Sequence, residues 1–308
     1  MVLFTDSLLA GTAFRPPRAC TPEQSGAPRC LIEEHPHQLP NLIQARLASI
    51  RSVLFPEGGL PVLELRRVSK HFSRIPAVDD VSFTARPGEV TGYLGPNGSG
   101  KSTLLLHLNG ILPEKPGGPG AVKIMGETVN KQNLEKIRRQ VGLVFQDPDD
   151  QLFCPLAAED VAFGPRQLGL SEAEVAGRVR GALAQVGLAG FGRRATHHLS
   201  HGEKRRLCLA GVLACDPEIL ALDEPTSDLD PRGRREFKAL LRTIPATKLM
   251  ATHDLELVVE MCPRSVILDH GVIVADGPTR DLLNNEELML AHGLERPHIL
   301  RHPHPHGP

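Results

Sequence analysis

Hydrophobic positions recur with two different periods along this chain, and the places where the period changes mark its organisation. Between 62 and 85 apolar and polar residues alternate, so 63–68 and 81–85 read as half-buried antiparallel strands joined by a turn at 73–76. Val90-Thr91-Gly92-Tyr93-Leu94 reads as a buried strand, and Leu104-Leu105-Leu106 with Leu108 opens a helix that begins near Lys101. A Pro/Gly-rich loop at 113–120 leads to a short strand at 122–124 and a turn at Gly126. Residues 134–139 read as a helix and 141–145 as a buried strand, ended by Gln146-Asp147-Pro148. From about 156 the pattern turns helical. Ser171 and Glu174 form a capping box, and Val175, Val179, Leu183 and Val186 then recur at helical spacing, with a further helix over 202–214. The unbroken apolar run Ile219-Leu220-Ala221-Leu222 suits the interior of a parallel sheet. Asp230-Pro231 caps a helix carrying Phe237, Leu240, Leu241 and Ile244; Leu249-Met250-Ala251 is the next strand, and 266–268 with 272–274 make a hairpin about Gly271. Alternating strands and helices with a helical insertion predict an α/β core.

Both ends depart from this pattern. Residues 12–40 are rich in Pro, Gly, Arg and His and read as largely disordered. Residues 42–54 suit a short amphipathic helix, with Ile43, Leu47, Ile50 and Leu54 on one face; a docking segment and an inert upstream extension, with a start near Val53 or Val62, both fit. The expected organisation is an N-terminal extension over 1–61, a nucleotide domain over 62–284 with a helical part at about 150–215, and a His/Pro-rich tail over 285–308.

Composition narrows the classes. Of 308 residues 41% are hydrophobic, enough for a sizeable core. Lys and Arg number 35 against 36 Asp and Glu, a formal charge of −1, which leaves no footprint for broad nucleic-acid binding. No apolar run is long enough to span a membrane, and the first residues lack the basic start of a signal peptide. The six cysteines (Cys20, Cys30, Cys154, Cys208, Cys215 and Cys262) show no C-x-x-C spacing, which fits a reducing, cytoplasmic setting.

The candidate chemistry centres on Gly95-Pro96-Asn97-Gly98-Ser99-Gly100-Lys101-Ser102-Thr103, which fits the phosphate-binding pattern G-x-x-x-x-G-K-[ST]. The glycines let backbone N–H groups approach phosphate oxygens. Lys101 supplies a mobile charge for the β- and γ-phosphates, the Ser102 hydroxyl is a hard oxygen suited to Mg²⁺, and the following helix presents its positive end. The run Leu220-Ala221-Leu222-Asp223-Glu224-Pro225 ends a buried strand in two carboxylates, where an α/β sheet opens to ligand. Asp223 suits Mg²⁺ and Glu224 a general base for water, although an ordinary strand-to-loop turn reads the same way. Gln146 closes another strand with an uncharged amide able to reach water or a metal-bound oxygen. His253, after Leu249-Met250-Ala251-Thr252, reaches a γ-phosphate or is structural. Ser200 and the Gly202 backbone, in Leu199-Ser200-His201-Gly202-Glu203, stand at a helix start that binds phosphate or is merely well capped.

In order and spacing these stretches resemble the ATP-binding-cassette (ABC) ATPases, over about 62–283. The resemblance implies a P-loop ABC ATPase fold with an antiparallel β subdomain and a helical signature subdomain. It implies that Gln146 heads the Q-loop and that 199–203 is the signature that closes over ATP held by a second protomer. By the same resemblance, Asp223 and Glu224 end the Walker B strand, Ser227-Asp228-Leu229-Asp230 is the D-loop, His253 is the switch histidine and Phe72 stacks on adenine. ATP and Mg²⁺ are the implied cofactors, with Ser102, Gln146 and Asp223 around the metal. His201 and Glu203 depart from the usual L-S-G-G-Q signature, while Ser200 and Gly202 remain.

One phosphate loop and one signature imply a homo- or heterodimer with composite sites. The finer pattern Asp147-Pro148-Asp149-Asp150-Gln151-Leu152-Phe153, Glu159-Asp160-Val161-Ala162-Phe163-Gly164-Pro165, Leu105-Leu106-His107-Leu108-Asn109-Gly110 and Glu203-Lys204-Arg205-Arg206 is similar to ATPases of energy-coupling-factor (ECF) importers, most of all cobalt/nickel ones. That resemblance implies a transmembrane coupling subunit, a substrate-binding membrane subunit, and a peripheral place on the cytoplasmic face of the membrane. Residues 146–165 would help to form the groove for a coupling helix. His292, His298, His302, His304 and His306 suit a soluble tail or one that handles metal. A vitamin-type ECF importer shares the same chemistry. A soluble ABC protein acting on nucleic acid or ribosomes is disfavoured by the charge balance and the single cassette.

Overall fold

Strands of two kinds give two sheets. In the computed structural model, which describes residues 60–113 and 121–301, β1 (Leu63–Phe72) and β2 (Ile75–Ala85) mix buried and exposed positions and pair antiparallel. β4 (Ala121–Ile124) pairs with β1, and β5 (Glu127–Thr128) with β4, giving the order β2-β1-β4-β5. The second sheet runs β10-β9-β3-β8-β7-β6. β3 (Val90–Leu94), β6 (Val141–Val144), β7 (Ile219–Asp223), β8 (Thr247–Ala251) and β9 (Arg264–Asp269) pair in parallel, and β10 (Val272–Pro278) closes one edge antiparallel. β7 and β8 are buried at every position, which demands cover on both faces.

The cover is divided by the pleat. Ile219 and Ala221 of β7, with Leu249 and Ala251 of β8, join the core of the four-stranded sheet and Leu104, Leu105 and Leu108 of α1 (Lys101–Leu108). Leu220, Leu222 and Met250 face the other way. There they meet Phe237 and Leu241 of α6 (Pro231–Thr243) and the helical subdomain. Between α1 and the subdomain comes α2 (Leu134–Gln140). The subdomain holds α3 (Ala157–Gln167), α4 (Glu172–Gln185) and α5 (His201–Leu213), packed through Val161, Val175, Leu183 and Leu207. This is the expected α/β core with a separate antiparallel sheet and a helical subdomain. The Ser171–Glu174 capping box and the Asp230 cap are both present.

Several boundaries differ from the sequence reading. β1 and β2 are longer than expected, so Ile75 and Pro76 lie in β2 and the turn shrinks to Ser73-Arg74. β6 ends at Val144, so Gln146 lies in the loop beyond it, exposed. The helices α7 (Leu255–Met261), α8 (Thr279–Asn284), α9 (Glu286–Ala291) and α10 (His298–Arg301) were not foreseen. Two of them carry legible caps, Asp254 accepting from the Leu257 N–H and Asn285 from the Leu288 N–H. Met289 and Leu294 lie in the core, so packed structure continues past residue 284. The expectations for 1–59, for the loop at 114–120 and for His302, His304 and His306 lie outside the described residues.

Candidate functional site

β3 leads directly into the loop 95–100, and two glycines let that loop curl against the body. Gly95 has φ +153° and Gly100 +102°. A Cβ at Gly95 would lie 2.1 Å from the Leu268 carbonyl oxygen, and one at Gly100 2.2 Å from the Ala77 carbonyl oxygen. Only glycine meets both the conformation and the space. Asn97 and Gly98 are exposed at the crown of the loop, Pro96 is half-buried and Ser99 is buried. The Ser99 Oγ has no hydrogen-bond partner, an orphaned polar atom inside an anion-shaped cradle. Lys101 opens α1, where no acidic residue offsets the positive helix end. Its Nζ donates to the Gly95 carbonyl at 2.9 Å and the Pro96 carbonyl at 3.0 Å, which holds the charge over the loop. Burial lowers its pKa, while Glu224 and Asp223 act to raise it. Ser102 is exposed, and the Thr103 carbonyl oxygen lies 2.8 Å from the His107 Nδ1.

β7 runs parallel to β8, which separates it from β3, and it brings its acidic end to this loop. Burial raises the Asp223 pKa, a hydrogen bond from Ser102 lowers it, and Oδ1 is left without a partner. Two hard oxygen donors thus lie side by side. Gln146 and Asp223 line one open cavity of about 470 Å³, with Asp147, His201 and Asp228 also on its wall. A hydroxyl, a carboxylate and an amide oxygen suit Mg²⁺, and the orphaned Asp223 Oδ1 fits that use.

Glu224 is held on every side. It is buried and has φ +44°, an uncommon backbone state for a glutamate. Its Oε2 accepts from the Thr252 hydroxyl at 2.8 Å; its Oε1 accepts from the His253 backbone N–H at 3.0 Å and lies 2.8 Å from the His253 Nδ1. The His253 ring is 63% exposed, so it faces the open side. A buried carboxylate beside an imidazole, at the mouth of an anion cradle, has the parts for polarising water.

The remaining expected residues lie on other elements. Ser200 caps α5 in a reciprocal box with Glu203, and Gly202 lies against Leu229, so both belong to the α5–D-loop surface. Phe72 ends β1 half-exposed, with the Lys70 ammonium 5.1 Å from its ring. The sequence reading gave no individual role to Thr252 or Arg205. Arg205 is fully buried on α5 and bonds to the backbone of Glu224 and to Ser227. Its spacing was the available signal, because Arg205 shares the buried stripe of Cys208 and Leu209 at i+3 and i+4.

A phosphate loop feeding a helix, with an acid-tipped parallel strand beside it, defines a P-loop nucleoside triphosphatase. Residues 78–227 match the family described as ABC transporter. An energy-coupling factor transporter ATP-binding protein, EcfA, of Carboxydothermus hydrogenoformans is 45% identical over 228 residues, covering 73% of this chain and 83% of that protein. An EcfA of Methanoculleus marisnigri is 44% identical over 227 residues, covering 72% and 81%. The solved structure of cbiO1 from Clostridium perfringens, described as part of the ABC transporter complex cbiONQ, superposes with a TM-score of 0.66 at 34% identity, covering 75% of this chain and 94% of that one. The chain belongs to the ABC transporter ATP-binding family, with an ATP-binding, ATP-hydrolysing domain closely similar to the ECF type. No helix among the described residues is long and apolar enough to cross a membrane.

Proposed function

We propose that this chain energises an ECF-type membrane importer of cobalt or nickel ions, as a peripheral subunit on the cytoplasmic face. The observation that carries the reading is the similarity to EcfA along most of both chains, joined by the likeness to cbiO1. The partners are a second ABC ATPase subunit, a transmembrane coupling subunit and a substrate-binding membrane subunit.

The site residues take these roles. The backbone of 95–100, with Ser99 and Lys101, binds the phosphates of ATP, and Phe72 stacks on adenine. Ser102, Asp223 and Gln146 hold Mg²⁺, which when bound neutralises charge on the phosphate oxygens. Glu224 orients and deprotonates the attacking water, and His253, anchored by Glu224, hydrogen-bonds the transferring phosphoryl group. Ser200 and Gly202 close over ATP held by the partner subunit. The helix end that carries them supplies positive potential to its γ-phosphate.

Two measurements test this. Glu224→Gln is expected to lower turnover by about a hundredfold or more while ATP-dependent dimerisation persists; steady-state hydrolysis at the normal rate would remove Glu224 from its role. The complex reconstituted with its membrane subunits is expected to take up ⁶³Ni or ⁵⁷Co only with ATP. Uptake of a vitamin in place of the metals would keep the ECF reading and overturn the cargo. Failure of the chain to bring down a membrane protein from detergent extracts would overturn the importer reading itself.

A further inference from the structure

Arg205 is a costly residue for its position. It is fully buried, at 0% exposure, in the second turn of α5. Its hydrogen bonds go to neutral oxygens and its Nε has no partner, so the carboxylates of Asp228, Asp147 and Glu224 offset the loss of water around the guanidinium only through space. All three acceptors lie in one turn just after the acid-tipped strand. Nη1 donates to the Glu224 carbonyl at 3.0 Å, and Nη2 donates to the Ser227 carbonyl at 3.2 Å and the Ser227 hydroxyl at 3.1 Å. That hydroxyl in turn donates to the same Glu224 carbonyl at 2.9 Å, and the Ser227 N–H does so at 3.2 Å. The Glu224 carbonyl therefore receives Arg205, the Ser227 hydroxyl and the Ser227 amide at once. A peptide gripped in this way has little freedom, and the residue gripped is the one at φ +44°.

We propose that Arg205 is a positioning residue for Glu224. By clamping the Glu224 carbonyl and Ser227, the guanidinium holds the backbone state that aims the Glu224 carboxylate at Thr252 and His253. The clamp also has a direction. Arg205 sits on the helix whose first residues follow the Ser200 cap, so a displacement of α5 pulls on the turn that bears Glu224. The position of the signature end of α5 is thereby linked to the geometry of this chain's own carboxylate. The inference rests on the reading of Glu224 as the base.

The test is ATP hydrolysis by the full chain carrying Arg205→Met, Arg205→Lys or Ser227→Ala, each checked for folding by its melting curve. Arg205→Met is expected to lower kcat by about tenfold to a hundredfold with the KM for ATP within about twofold. Arg205→Lys, which keeps the charge but not the fork, is expected to recover only part of the loss. In the Glu224→Gln background Arg205→Met is expected to add no further loss, since the group it aims is gone. Ser227→Ala removes one clamp member without burying a new side chain, and is expected to show the same kcat-only loss should Arg205→Met fail to fold. A near-normal kcat in Arg205→Met or Ser227→Ala, or an equal loss in both backgrounds, overturns the clamp. Normal turnover in Glu224→Gln alone would instead sink the general-base reading, so the two failures are distinguishable.

Discussion

At the third position of α5 a glutamate, Glu203, stands where the family signature has glutamine. Its carboxylate accepts from the Ser200 N–H at 2.8 Å and from the Ser200 hydroxyl at 2.9 Å, while the Glu203 N–H bonds back to the Ser200 Oγ at 3.3 Å. The Ser200 proton is thus committed to an anion within its own helix, beside the end proposed to meet a phosphate. The Ser200 N–H holds the Glu203 carboxyl below its ordinary 4.5; burial opposes this, and the Ser200 hydroxyl adds to the lowering. A carboxylate lowered in the folded state contributes stability that is present above 4.5 and lost as pH falls through the lower folded value. Glu203→Gln is expected to remove this share of the acid dependence in melting curves. It is also expected to tighten ATP-dependent dimerisation about two- to fivefold, as a charge of the wrong sign leaves the helix N-terminus. Unchanged or weaker dimerisation would mean that the Glu203 charge does not reach the nucleotide.

The elements join these residues because each strand end faces a helix start. β3 ends in the loop that enters α1, and β7 ends in Asp223, while β8 leads through Thr252 and His253 to the Asp254 cap of α7. The C-terminal helices are part of the same build. Met289 of α9 is fully buried in the core, along with Leu283 of α8, a helix that packs on β9 and β10. Met289→Ala is expected to cost about 2–5 kcal/mol in denaturant unfolding, as a core truncation does. A cost near zero would place α9 outside the cooperative unit and return the domain boundary to the expected residue 284. Helices as short as α8 and α9 escape the hydrophobic pattern because six residues are too few to set a period, although the Asn285 cap of α9 is legible.

For the whole molecule, the proposed reading divides each site between the phosphate loop of one chain and the start of α5 of another. On that reading two chains arranged head to tail supply two such sites. Lys101→Ala and Ser200→Arg are each expected to abolish hydrolysis as homodimers. In their mixed dimer one site collects both defects and the other is intact, so an equal mixture is expected to regain about a quarter of the wild-type rate. No recovery on mixing would exclude sites shared between chains.

How far the sequence carried these conclusions depended on the range of the signal. The phosphate loop, the strand ending in Asp223 and Glu224, the Ser171 and Asp230 caps and the helical insertion all follow from neighbours within a few residues, and sequence alone determined them. It also supplied the family through motif order. The partners of Glu224 were another matter. Thr252 and His253 reach it only because β7 and β8 are adjacent and in register, with Asp223 opposite Ala251. Arg205 reaches it because α5 packs against β6, the edge strand beside β7, with a charged residue on its buried stripe, where an apolar one was the default. Ser200 and Gly202 were legible as a helix start, but that His201 between them shares a cavity wall with Gln146 and Asp223 is a property of the folded body. Local pattern reports which face of an element is buried; only the sheet order and helix packing decide what that face meets.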